Sequence, residues 1–172
     1  MSSIANLYTV NTTISSSLTS NSSIFNRNSD LNRYYFEGFQ IRVHSNGSYR
    51  FLSVSSVDTY GYLYAGSFNP AMPYENLIIR DDDSGGNNQF QFRYFLETNQ
   101  TYFLIFTTYD SLVTGSFNLI VSGLTSVNIT KVNYNSSFAN GTTCKLSYVG
   151  VRIFWIEILF SLIKIFQCIN KK

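Results

Sequence analysis

The chain is predicted to be all-β, an antiparallel sandwich of jelly-roll type with a disordered N-terminal segment and a C-terminal apolar helix. Three observations point there. Between Tyr34 and Lys131, apolar residues recur at every second position, the period of a strand with one buried face. Turn residues interrupt this pattern at the roughly 8–12-residue spacing of a sandwich or jelly roll. Aromatic residues make up 17% of the chain, with 15 Phe and 13 Tyr, and such side chains pack well on a pleated surface.

Residues 1–33 contain 19 Ser, Thr or Asn, too polar a composition to bury much apolar surface, so 1–15 reads as a disordered linker. Ile24 and Phe25 mark a lead-in strand within 16–33. Phe39, Ile41 and Val43 then alternate with Gln40 and Arg42. Asn46-Gly47 is predicted to turn the chain as a type I′ hairpin, because both residues tolerate positive φ. Tyr49 and Phe51 would begin the partner strand.

Tyr60, Tyr62 and Tyr64 share one face of the next strand. A connection marked by Asn69-Pro70 and Pro73 follows, and Leu77-Ile78-Ile79 runs into the acidic loop Asp81-Asp82-Asp83-Ser84-Gly85-Gly86. Phe90, Phe92, Tyr94 and Leu96 point one way, with Gln91 and Arg93 opposite. Thr101–Thr108 is apolar on both faces and reads as a central strand. Phe117, Leu119 and Val121 complete seven or eight strands, and the sandwich is expected to span 16–131.

Residues 132–148 read as a linker, and 149–169 as an apolar helix. Arg152, Glu157, Ser161, Lys164 and Gln167 fall on one half of its wheel, while Phe154, Trp155, Ile158, Leu159, Leu162, Ile165, Phe166 and Ile169 fill the other. About 20 residues suffice to span a bilayer, with Lys171-Lys172 at the cytoplasmic end. Against this, Glu157 near the middle would cost about 2.5–3.5 kcal/mol. A spanning helix, an interfacial helix and translated non-coding sequence all stay open. Were it a continuous helix, Cys144 and Cys168 would lie about 36 Å apart, beyond disulfide reach.

With 13% charged residues and a net charge of +2, the chain has no electrostatic footprint for nucleic acid. Seven Asn-x-Ser/Thr sequons stand at Asn11, Asn21, Asn46, Asn99, Asn128, Asn135 and Asn140. Their turn or strand-alternating positions predict solvent-facing side chains, as a glycan requires. This points to an extracellular or cell-surface setting. The start, Met1-Ser2-Ser3-Ile4-Ala5-Asn6, lacks the basic and apolar regions of a signal peptide. Either the protein is cytosolic with idle sequons, or it is a fragment of a longer secreted chain.

Five segments stand in an order that resembles one known family. They are Gly47-Ser48-Tyr49-Arg50-Phe51, Val57-Asp58-Thr59-Tyr60-Gly61-Tyr62-Leu63-Tyr64, Asp82-Asp83-Ser84-Gly85-Gly86, Leu96 through Thr101-Tyr102, and Thr114-Gly115-Ser116-Phe117. From about Leu18 to Lys131 the chain resembles the bacterial pre-peptidase C-terminal domain, which includes the collagen-binding modules of bacterial collagenases. The resemblance implies a jelly-roll β-sandwich that adheres rather than catalyses. It implies an accessory module of secreted enzymes or surface proteins, in which some members bind calcium. The tail has no counterpart in that family.

Asp81, Asp82 and Asp83, with Asp58, are the candidate calcium ligands: calcium takes six to eight oxygens, and adjacent aspartates repel unless solvated or metal-bound. The competing reading is a turn, since Asp, Ser, Gly and Asn are the usual turn residues and the spacing matches no EF-hand. His44 is the single histidine, so no histidine-based metal site or triad can be assembled, and it reads as an exposed strand end. Glu37, Glu75 and Glu97 offer no marked catalytic pair. The tyrosine stripe at 60, 62 and 64 is either a sugar- or peptide-binding face or a strand face packed on its neighbour sheet. The expectation is a non-catalytic module for adhesion, ligand display or spacing, with an unknown protein or carbohydrate ligand. An accessory domain of a secreted hydrolase and a cytosolic interaction domain are the alternatives.

Overall fold

The computed structural model describes residues 9–27 and 32–134, which form ten strands and no helix. The strands are β1 (Val10–Leu18), β2 (Ser23–Asn26), β3 (Arg33–Val43), β4 (Gly47–Ser55), β5 (Thr59–Ala65), β6 (Leu77–Asp81), β7 (Gln91–Leu96), β8 (Tyr102–Thr108), β9 (Gly115–Gly123) and β10 (Val127–Val132). They build two antiparallel sheets packed as a sandwich. One has the order β1-β9-β4-β7, and the other has β10-β3-β8-β5-β6, with β2 also pairing to β3. All consecutive connections except β2–β3 and β5–β6 carry the chain from one sheet to the other.

The period-two pattern fixes which side chains meet between the sheets. Phe39, Ile41, Leu63, Leu104 and Phe106 face Tyr49, Phe51, Phe92, Phe117, Leu119 and Val121 in one buried cluster. Phe106 and Phe117 stack across the gap at 3.5 Å between ring centroids. β8 is central, as its two apolar faces predict, lying between β3 and β5. Its other face, with Ile105, joins a second buried cluster of Phe25, Tyr34, Phe36, Tyr62, Tyr64 and Phe68. That cluster covers the outer face of the six-stranded sheet.

Several expectations are corrected here. Residues 10–15 belong to β1, which pairs with β9 from Val10 to Leu18, not to a linker. The Ser/Thr-rich composition hides this, because what holds an edge strand is its ladder of backbone hydrogen bonds as well as apolar burial. Asn46-Gly47 does not close a hairpin: β3 pairs with β8, β10 and β2, whereas β4 pairs with β7 and β9. Neither residue has positive φ. Instead Asn46 Oδ1 accepts from Thr98 N at 2.7 Å, tying this crossover to the β7–β8 turn. The Tyr49 hydroxyl donates to Ser45 O at 2.9 Å and meets Thr125 Oγ1 at 3.0 Å, which adds the β9–β10 turn to the same end.

The domain also runs past the expected linker boundary. Tyr134 lays its ring over Gly38 and packs on Phe36 and Phe68. The remaining residues of the predicted 132–148 linker, the helix at 149–169, and sequons Asn135 and Asn140 lie outside the described residues. So do residues 1–8 of the predicted N-terminal linker. Among the described residues, no helix is long and apolar enough to cross a membrane.

Gly61 faces the inter-sheet core, where an added Cβ would lie 2.6 Å from the Phe90 ring. Phe90 is fully buried and in ring contact with Phe92 and Phe106, so it has little room to yield. Gly61→Ala is therefore expected to lower unfolding free energy by about 1–3 kcal/mol, as overpacked cores do. Urea denaturation checks this, and an unchanged midpoint would refute the packing.

Candidate functional site

Two places were marked by the sequence, the acidic loop and the tyrosine stripe, and the fold treats them differently. In the loop, Asp81 works as a turn clamp. Its carboxylate accepts from Ser84 N at 3.0 Å, Ser84 Oγ at 2.6 Å and Gln91 N at 2.8 Å. Asp58 comes from the β4–β5 connection to the same end of the sandwich. Burial raises its carboxyl above the usual range, and Asp83, Asp110 and Asp82 push it further the same way. Asp58 Oδ1 is buried without a hydrogen-bond partner among the described residues. Yet no three His, Cys, Asp or Glu side chains among the described residues form a group able to hold a metal ion. Asp81 is thus a turn clamp, while Asp58, Asp82 and Asp83 stand at one acidic end of the sandwich.

Tyr60, Tyr62 and Tyr64 do share one face, with ring centroids 4.7 and 6.3 Å apart. The packing reading named the wrong partner. The stripe lies on the outer face of its sheet and is covered by Phe25 and Phe68 rather than by the other sheet. Tyr62 and Tyr64 are almost wholly buried, and Tyr64 Oη donates to Pro73 O at 2.9 Å. Burial raises the phenols of Tyr62 and Tyr64 far above the usual tyrosine value, and pushes Tyr134 up to about 12. Tyr62 and Tyr64 are thus sealed under Phe25 and Phe68, while Tyr60 at the end of the stripe is half-buried.

Two constellations carried no sequence signal. Arg27, on the boundary of a polar stretch, is buried at the end of the aromatic cluster. Its guanidinium lies 4.1 Å from the Tyr34 ring centroid and 4.7 Å from that of Tyr60. It donates to Thr108 O at 3.0 Å and Tyr109 O at 2.8 Å, so its charge is spent on two carbonyls and three aromatic rings, the third being Tyr109 at 5.5 Å. The second is a polar cleft of about 350 Å³ where β1, β2 and β10 meet, lined by Ser16, Ser22, Glu37, Gly38, Lys131 and Tyr134. Glu37 is buried and accepts from Lys131 Nζ at 2.6 Å and Ser16 Oγ at 2.5 Å. These bonds close the sandwich edge between β1 and β10. Only their spacing in three dimensions, with 94 residues separating Glu37 from Lys131, reveals them.

The other marked residues are scattered. His44 is exposed beside the end of β3, and Glu75 and Glu97 sit exposed in separate loops, away from the Glu37 cleft. Asn11, Asn21, Asn46, Asn99 and Asn128 are all exposed. In comparisons with known proteins, the chain matches no family model and no curated protein.

Two outcomes follow from these environments. Replacing Asp58 with Asn removes an orphaned carboxylate repelled by its neighbours, so Tm is expected to rise near neutral pH. The gain should vanish below the ordinary carboxyl value of 3.8, where the parent is protonated too. A fall in Tm at neutral pH would contradict this net repulsion. For the tyrosines, a pKa raised in the fold means that the folded state holds the proton more tightly than the unfolded chain. Stability is therefore intact below about pH 10 and declines as pH rises beyond it. Tyrosinate absorbance should appear partly in one cooperative step with loss of structure, and full ionisation of a still-folded protein would contradict the burial.

Proposed function

We propose that this chain is a non-catalytic extracellular module of jelly-roll type, working in adhesion, ligand display or spacing within a larger surface or secreted protein. The strand order supports the jelly-roll class. Without β2 and β10, the sheets are β1-β9-β4-β7 and β3-β8-β5-β6, two four-stranded sets in which every pair of neighbours except β5 and β6 is remote in sequence.

The resemblance to the pre-peptidase C-terminal domain is part of the same proposal, and its motif residues do structural work. The Thr59 hydroxyl meets Ser53 Oγ at 2.7 Å and accepts from Phe90 N at 3.0 Å, joining three strands. The Tyr102 hydroxyl accepts from Glu97 N at 3.1 Å across the β7–β8 turn. At Gly115, an added Cβ would lie 2.9 Å from Val57. Such residues build a frame, which is what an adhesion or spacing module needs from them.

The observation that carries the extracellular setting is the exposure of all five sequon asparagines in the described region, spread over both sheets and both ends. Expression through the secretory pathway of a glycosylating cell, followed by glycosidase treatment, tests it. A mass loss on deglycosylation is expected, with Asn11, Asn21, Asn46, Asn99 and Asn128 among the occupied sites. An unmodified protein would favour the cytosolic alternative.

A further inference from the structure

The two outer faces of the sandwich are unlike. Aromatic side chains seal much of the six-stranded one, whereas the four-stranded one presents Ser, Thr and Asn on β1 and β9, the apolar Leu52, Val54 and Ile120, and two arginines on β4 and β7. Alternation from the inward Tyr49, Phe51, Phe92, Leu119 and Val121 places Asn11, Ser122, Arg50 and Arg93 outward. The register makes them one row across four strands: Asn11 pairs with Ser122, Ser122 with Arg50, and Arg50 with Arg93. Directly opposed side chains on one face have Cβ atoms about 4.5–5.5 Å apart, and like charges so placed are destabilising.

Nothing in the sheet offsets this. None of the outward side chains of β1, β4, β7 and β9 is acidic, and neither arginine forms an ion pair among the described residues. Arg50 forms a hydrogen bond with Gln91 Oε1, at 3.4 Å. Among the described residues its Nε is buried without a partner, and so is the Oγ of Ser122, a residue only 5% exposed. These two polar atoms lie beneath the surface of the row, whose accessible members are Arg93 and Asn11. On β7, two residues beyond Arg93, Phe95 holds its ring 57% exposed on the same face.

We infer that this row is a binding site for an acidic saccharide. The Arg50 and Arg93 guanidiniums take its carboxylate or sulfate, the planar fork of arginine matching such oxygens in pairs. Gln91 and Asn11 supply hydrogen bonds to hydroxyls, and Phe95 offers an apolar face for a sugar ring. A flat sheet suits an extended polymer better than a free ion. The inference rests on the reading of the chain as an adhesion module and gives that module its ligand class.

The test uses the full chain produced without glycosylation, titrated at low ionic strength with heparin, with polygalacturonate and with neutral dextran. Binding of at least one acidic polymer and none of dextran is expected. Heparin alone would identify a sulfate ester, and polygalacturonate alone a carboxylate. The Arg50→Gln, Arg93→Gln double variant should lose about tenfold or more in affinity, and the double Lys variant should fall between, since charge survives but the fork does not. Arg42→Gln, on β3 of the other sheet, should leave affinity unchanged. Arg93→Gln alone should melt no lower than the parent, because it relieves a like-charge pair. No binding to either acidic polymer, equal losses in the Arg42 and double variants, or a lowered Tm for Arg93→Gln would overturn the inference. Because these measurements need no glycan, their failure leaves the secretion experiment standing, and the reverse holds too.

Discussion

Burial of two apolar sheet faces against each other is the interaction on which the rest of this molecule depends. Each large apolar side chain removed from water contributes roughly 1.5–3 kcal/mol, and the contact of β8 with β9 through Phe106 and Phe117 joins the middle of one sheet to the other. No hydrogen bond between the sheets could replace this, since backbone pairing acts within a sheet and not across one. Once the faces meet, the polar strand β1 has a partner waiting in β9, and a Ser- and Thr-rich segment becomes ordered. The Glu37–Lys131 pair then closes an edge that the apolar core cannot seal.

A sandwich whose connections cross between sheets has a second problem, which is to hold its ends. Hydroxyl groups solve it. Thr59 joins β4, β5 and the start of β7, Tyr49 ties two crossovers, and Tyr102 clamps a turn. These joints have a narrow chemistry, where a hydroxyl or a missing Cβ is required.

Function is therefore sought on the surfaces the frame leaves over. The six-stranded sheet has spent much of its outer face on a second aromatic cluster, capped by Arg27 and Phe68. The four-stranded sheet has kept Arg93 and Phe95 exposed on its outer face. A frame stabilised by two aromatic layers tolerates one unfavourable charge pair, and such tolerated cost is where binding chemistry commonly resides.

The all-β sandwich class, the central place of Thr101–Thr108, the shared face of Tyr60, Tyr62 and Tyr64, and the exposure of His44 and of five sequons were legible in the chain. All of these follow from side-chain period and turn chemistry, which are local. Tertiary structure decided what local pattern cannot carry. It turned Asn46-Gly47 from a hairpin into a crossover, drew residues 10–15 into β1, and placed the tyrosine stripe on the outer face instead of against the other sheet. It made Asp81 a clamp and left Asp58 repelled by its neighbours. It also set Arg50 opposite Arg93, and Glu37 beside Lys131, because register brings together residues that are distant in the chain. Strand identity is written in the spacing of neighbouring residues, whereas the partner of each strand, and so each site built across strands, is settled only when the two faces close.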